Sequence, residues 1–149
     1  MKLIIGGAYQ GKLAYAKREY QVTEGWLDGR TCSLEEIFSC KGICYFHEYV
    51  KRMMCGEKNS SEGGQDLLWL HLQKEELSGL ERQARGFAEM LCWKNPDILI
   101  VSNELGYGVV PMEKTDRLWR EATGRICTEI AARADEVVRV VCGVGQRLK

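Results

Sequence analysis

Neither sign of charge is in excess in this chain of 149 residues: 21 Lys and Arg balance 21 Asp and Glu. No whole-molecule field therefore draws it onto nucleic acid or an anionic membrane, and neither is expected as a partner. Long apolar runs are missing too. None approaches the roughly 18–20 residues a membrane helix needs, and Met1-Lys2-Leu3-Ile4-Ile5 is cut by Gly6-Gly7 before the core of a signal peptide forms. The expectation is a soluble, cytoplasmic protein. Seven cysteines are present, but the number is odd and no C-x-x-C occurs, so reduced thiols rather than a disulfide framework are predicted. Histidine is scarce, at two. The nearest metal-like grouping, Cys40, Cys44 and His47, offers three ligands at helical spacing without a fourth, and no metal site is assigned. No internal repeat is visible. With 45% hydrophobic and 28% charged residues at this length, one core suffices and a single domain over 1–149 is expected.

The chain opens with a short apolar run, a glycine-bracketed loop and good helix formers from Lys12 to Glu19, which reads as strand, loop, helix. Ser33 with Glu36 three residues on is a capping box, and Gly42 suits the end of that short helix. A further helix is expected over Tyr45 to Met54. Residues 56–65 have almost no apolar side chains and three glycines, predicting a flexible, solvent-exposed loop. Leu77, Leu80, Ala84, Phe87, Ala88 and Leu91 recur at steps of three and four, the stripe of a helix that ends before Asn95-Pro96. Asp97 to Ser102 is uniformly apolar at its centre, as in a fully buried strand. A second helical stripe, Leu118 to Ala134, leads into the β-branched run Val137 to Val141. Helix alternating with buried strand predicts an α/β, P-loop-type three-layer domain with a mainly parallel sheet.

Gly6-Gly7-Ala8-Tyr9-Gln10-Gly11-Lys12 fits G-x-x-x-x-G-K between a strand and a helix, the context that gives the pattern meaning. Glycines let several N–H groups converge on a phosphate, the helix N-terminus adds its positive end, and Lys12 reaches the outer phosphates. Leu13 departs from the pattern, because a Ser or Thr hydroxyl normally stands there to hold Mg²⁺. The alternative is a glycine-rich turn with a solvated lysine. Asn103 and Glu104 directly follow the buried strand and are expected at the same crevice, Glu104 as an acid/base or metal-water residue; the bland reading is a turn that Gly106 and Gly108 allow. Arg117, Arg120 and Arg125, on the helix after that loop, are candidates for phosphate oxygens unless they are simply solvated. His47, beside Glu48, is read as a satisfied helix residue rather than a nucleophile.

On two blocks the chain resembles the adenosylcobinamide kinase / adenosylcobinamide-phosphate guanylyltransferase family of cobalamin biosynthesis. Ile4 to Lys12 is similar to that family's opening strand and loop, G-G-x-x-S-G-K-S. Val101 to Pro111 is similar to its V-x-N-E-V-G-x-G-I-V-P, with the likeness continuing through Arg117, Trp119 to Glu121, Gly124-Arg125, Ala131 to Asp135 and the terminal residues. The resemblance implies a homotrimer binding GTP or ATP that phosphorylates the aminopropanol hydroxyl of adenosylcobinamide. It further implies transfer of GMP to that phosphate through a guanylyl-histidine. Gln10 and Leu13 stand in place of both serines of the loop, so Mg²⁺ placement is expected to be weakened. The histidine-bearing segment between the second and third strands has no equivalent, and its role is not transferred to His47. The Asp/Glu-Cys-[Leu/Ile]-Thr motif of the third strand has no clear counterpart, and the Asn-Gln of the last helix reads Cys127-Thr128. The expectation is a purine-nucleotide-binding protein whose kinase half is retained in weakened form and whose guanylyl step is lost; the rival is a non-catalytic nucleotide- or corrinoid-binding relative with a regulatory or assembly role.

Overall fold

The computed structural model describes residues 1–55 and 77–149; the loop expected over 56–65 lies outside them. Among the described residues the chain runs β1 (Lys2–Ile5), α1 (Lys12–Glu19), β2 (Trp26–Asp28), α2 (Leu34–Ile37), β3 (Gly42–Cys44), α3 (Phe46–Cys55), α4 (Leu77–Lys94), β4 (Leu99–Val101), α5 (Lys114–Arg133), β5 (Glu136–Val141) and β6 (Val144–Arg147). One sheet has the order β2-β3-β4-β1-β5-β6. All its pairings are parallel except β5 with β6, an antiparallel hairpin at the edge. The mainly parallel α/β domain expected from the sequence is present.

Period-two alternation divides the strand side chains between two faces. Leu3, Ile43, Ile100 and Val137 enter the larger core with Phe46, Phe87, Leu91, Ile126 and Ile130 of α3, α4 and α5. Ile4, Val101, Val138 and Val140 enter a smaller core with Ala16, against which Leu13 and Tyr15 of α1 pack. These are the three layers. An isolated helix of eight residues is unstable in water, so α1 is held by this apolar contact, with Ala16 fully buried.

The capping box forms as expected, with Ser33 Oγ accepting from the Glu36 N–H and Glu36 Oε2 accepting from the Ser33 N–H. Gly42, by contrast, does not end that helix. The helix closes at Ile37, with Phe38, Ser39 and Cys40 N–H groups donating back to Glu35 and Glu36 carbonyls, and Gly42 opens β3. The reason is packing across the sheet: a Cβ at Gly42 would lie 2.8 Å from the Trp26 ring.

β1 pairs with β4 on one side and β5 on the other; its own connection runs outward past β4 to β2, while the connection from β4 crosses β1 to reach β5. The crevice outside the carboxyl ends of β1 and β4 is the position where open α/β sheets bind ligands. The glycine loop and Asn103 arrive there together.

Candidate nucleotide site

β1 ends at Ile5 and the chain turns at once. Gly6 has φ 153°, and a Cβ there would lie 2.3 Å from the Val140 carbonyl oxygen. Gly11, left-handed at φ 77°, is the N-cap of α1 and supplies no side-chain cap, which leaves the first N–H groups of the helix aimed at the loop. Gln10 has a structural use that its place in the motif conceals. Its Oε1 accepts from the Cys142 N–H at 2.7 Å and its carbonyl from the Gly143 N–H at 2.9 Å, fastening the loop to the β5–β6 turn. Lys12 opens α1 with only 8% of its surface exposed, and its Nζ donates to the Gly7 carbonyl at 2.5 Å. Burial lowers the pKa of this ammonium group, and the Glu104 charge partly opposes the shift.

The loop from Ala8 to Leu13 forms one wall of a cleft of about 460 Å³, with Arg30, Tyr45, His47, Glu48, Ser102 and Asn103 around the rest. That volume is within the usual range of small-molecule sites. His47 is 4% exposed, stacks on Trp119 at 6.3 Å between centroids and offers its carbonyl to Trp119 Nε1 at 2.7 Å. Its Nδ1 is 3.3 Å from the Asn103 backbone nitrogen, while Nε2 is 2.9 Å from the Asn103 side-chain amide. The atom facing Nε2 is Asn103 Nδ2; a neutral imidazole accepts at one nitrogen only, so the tautomer decides which of the two Asn103 N–H groups it takes.

Burial, with Lys12 adding a smaller effect of like charge, lowers the His47 pKa to about 4. An unfolded histidine near 6.5 binds a proton that the folded one refuses. Stability contributed by neutral His47 is therefore present above about pH 6.5 and is lost as the pH falls through about 4. We predict a stability decline across that window, on the order of 1–3 kcal/mol, which His47→Gln flattens. Urea unfolding at several pH values measures it; parallel curves for the two proteins contradict the assignment.

The structure brings Lys12, the glycine loop and Asn103 into one cleft and leaves the other candidates outside it. The Glu104 N–H donates to the Gly6 carbonyl, but its carboxylate turns to Arg139, with Nε 3.1 Å from Oε1. It lines a neighbouring cleft of about 220 Å³ with Tyr107 and Arg120. Arg117 donates to the carbonyls of Pro111 and Met112, and Arg120 to those of Gly106 and Val109. Both arginines brace the loop that precedes α5 instead of facing the phosphate loop. Arg125 pairs with Glu81 and Glu121. Local sequence patterns do not mark His47, Arg30 and Tyr45 as cleft residues. Their one local signal is the strand-to-helix junction at Tyr45, and a three-residue strand is too short to announce it.

The oxygen-bearing side chains Gln10, Glu48, Ser102 and Asn103 lie on the cleft lining, but the two positions that the resemblance assigns to Mg²⁺ offer none. This hard cation takes oxygen ligands, yet Leu13 packs its side chain into the smaller core, and β3 ends on Cys44, whose buried thiol has a raised pKa. Gly42 to Tyr45 contains no acid, so the third strand lacks the carboxylate of the motif that the resemblance predicts. No group of three or more His, Cys, Asp or Glu side chains able to hold a metal occurs among the described residues.

Residues 49–148 match the family model described as cobinamide kinase / cobinamide phosphate guanyltransferase. The matched stretch begins inside α3, so the glycine loop precedes it. The chain is similar to two curated proteins, both named bifunctional adenosylcobalamin biosynthesis protein CobU. The one from Salmonella typhimurium is 42% identical, and the one from Escherichia coli 40% identical, over 52 residues that make up 35% of this chain and 29% of either relative. The aligned stretch thus spans less than a third of each relative's length.

Proposed function

Because the chain belongs to the cobinamide kinase / cobinamide phosphate guanyltransferase family, we propose that it binds the polyphosphate of a purine nucleotide, GTP or ATP, in the cleft above its glycine loop and serves cobalamin biosynthesis in the cytoplasm. One observation carries this reading: Lys12 sits at the head of α1, largely buried and bonded to the Gly7 carbonyl, on the wall of a cleft at the carboxyl ends of β1 and β4. An incoming phosphate offers that ammonium a charged acceptor in exchange for a neutral carbonyl, and charge-assisted bonds are roughly twice as strong.

Turnover is the weaker half of the activity. Phosphoryl transfer depends on neutralising charge between the outer phosphates, and neither Leu13 nor Cys44 offers an oxygen for that purpose. Glu104 is engaged by Arg139 and does not make good the loss. Adenosylcobinamide is therefore a slow phosphoryl acceptor at best. The guanylyl-histidine step is lost: His47 is 4% exposed, with its ring edge covered by Asn103, and is no free nucleophile. Leu13 and Cys44 equally favour a second reading, a nucleotide- or corrinoid-binding relative that acts by assembly. The exposed apolar tip Val109, Val110 and Met112, at 94%, 67% and 92% exposure, suits contact with another copy of the chain, and the homotrimer is what the resemblance implies.

Calorimetric titration of GTP and ATP, with and without Mg²⁺, tests the proposal. Wild type should bind with weak Mg²⁺ dependence. Leu13→Ser should make affinity Mg²⁺-dependent and, where the cobinamide pocket is intact, raise the kinase rate. Phosphorylation of adenosylcobinamide by wild type at ordinary kinase rates of roughly 1–100 per second would show that the inference from Leu13 is wrong.

A further inference from the structure

Resting on the nucleotide-binding reading and deepening it, we propose that Arg30 is a second anion anchor of the cleft, taking the terminal phosphoryl oxygens of a polyphosphate whose inner phosphates lie on the glycine loop. The turn Asp28-Gly29-Arg30 follows β2 and is pressed against the end of β3. The Gly29 N–H donates to the Cys44 carbonyl at 2.8 Å, and a Cβ on Gly29 would lie 2.3 Å from the Tyr45 carbonyl oxygen. Arg52 of α3 ties the same turn down from the other side, with Nη1 donating to the carbonyls of Gly29 and Cys32 at 3.1 and 3.0 Å. The backbone that carries Arg30 is therefore a fixed part of the cleft wall.

The guanidinium, on a side chain 56% exposed, is oriented by its neighbours. The Asp28 carboxylate takes the Arg30 backbone N–H at 2.9 Å, Nε at 2.9 Å and Nη2 at 2.6 Å. The plane of the group rests over the Tyr45 ring, 4.2 Å from its centroid, and Tyr45 itself is set by a left-handed φ of 54°. Asp28 thus consumes one edge of the fork and orients the other. Nη1 is left without a protein acceptor among the described residues, on a side chain that lines the same cleft as Lys12. A guanidinium whose rotamers are already restricted loses little entropy on binding, and its planar donors match phosphate oxygens. Arg30 stands in a cleft whose loop lacks the hydroxyl at Leu13; paired with Asp28, it brings oriented N–H donors rather than net charge to the outer phosphate.

The test uses inorganic phosphate, pyrophosphate and tripolyphosphate beside GTP and ATP, titrated calorimetrically into the wild-type chain and into Arg30→Lys, Arg30→Ala and Lys12→Ala. Wild-type affinity should climb with chain length. Arg30→Lys, which keeps the charge and loses the fork, should weaken tripolyphosphate about 10-fold while changing pyrophosphate less than about twofold. Arg30→Ala should do so more strongly, and Lys12→Ala should weaken both anions. Equal losses for the two anions in the Arg30 variants overturn the proposal, as does unchanged tripolyphosphate binding, or no binding of either anion by wild type. The outcomes separate the two claims. Arg30-dependent tripolyphosphate binding with GTP and ATP no tighter than tripolyphosphate sinks the nucleotide reading and leaves Arg30 standing; tight GTP binding that ignores Arg30 does the reverse.

Discussion

Lys12→Ala is expected to weaken GTP or ATP binding by roughly 10- to 100-fold, because a charge-assisted contact to phosphate contributes on the order of 1.5–3 kcal/mol. The side chain stands at the first turn of α1, where loop N–H groups and the positive end of the helix act on the same anion, and it adds a full charge to their partial ones. Its removal should matter far less to folding. The bond it makes in the free protein is to a single carbonyl, that of Gly7, and alanine is the best helix former for the position. Thermal unfolding should therefore shift by no more than a few degrees while calorimetric affinity collapses. Equal affinity in wild type and variant would show that the loop is not the site, whatever the family.

The largest effect on stability is expected at Gly6. Alanine there places a Cβ 2.3 Å from the Val140 carbonyl oxygen at a backbone φ of 153°, and neither partner is free to retreat. Gly6 follows β1, whose Ile4 and Ile5 pair with Val138 and Arg139 of β5, and its carbonyl accepts from the Glu104 N–H. Relieving the clash means separating β1 from β5 at the very mouth of the cleft. We expect Gly6→Ala to destabilise the fold by about 2–4 kcal/mol, a fall in Tm on the order of 5–15 °C, and to lose nucleotide affinity with it. Gly106→Ala is the matched control, since a Cβ there meets nothing within 4 Å and its effect should stay within about 0.5 kcal/mol. Similar melting curves for the two variants would mean that the β1–β5 mouth is softer than its geometry states.

Both positions are legible along the chain, as the first glycine and the lysine of one local pattern. His47 is not. Its value to the cleft comes from Asn103, 56 positions away, and from Trp119, 72 positions away, neither of which is marked by spacing along the chain. Glu104 shows the converse. It stands beside Asn103 and directly after a buried strand, where its position assigns it to the crevice, yet its carboxylate is drawn to Arg139 on β5. Successive residues leaving a strand face opposite ways, and only the tertiary partner reveals which of the two the cleft receives. Arg117 and Arg120 of α5 mislead for the same reason, since their acceptors are backbone carbonyls of the loop before the helix, and Arg125 pairs with Glu81 and Glu121.

Everything carried by neighbours within a turn or a strand is written into the linear order of residues. The opening β1–loop–α1 unit, the Ser33–Glu36 capping box, the apolar stripes of α4 and α5 and the buried run of β4 are set by local periodicity and backbone freedom. Strands of three residues, as in β2 and β3, carry too little alternation to read, and the exposed edge strand β6 has no buried face to mark it. Tertiary packing settles the rest: that β3 ends at Cys44 and delivers Tyr45 and His47 to the cleft, that Gln10 clamps the loop to the β5–β6 turn, and that Asp28 turns Arg30 toward Tyr45 at the wall of the cleft. Each of these depends on which distant group a side chain meets once the sheet has ordered its strands, and contact energies between residues far apart in sequence leave no periodic trace along the chain.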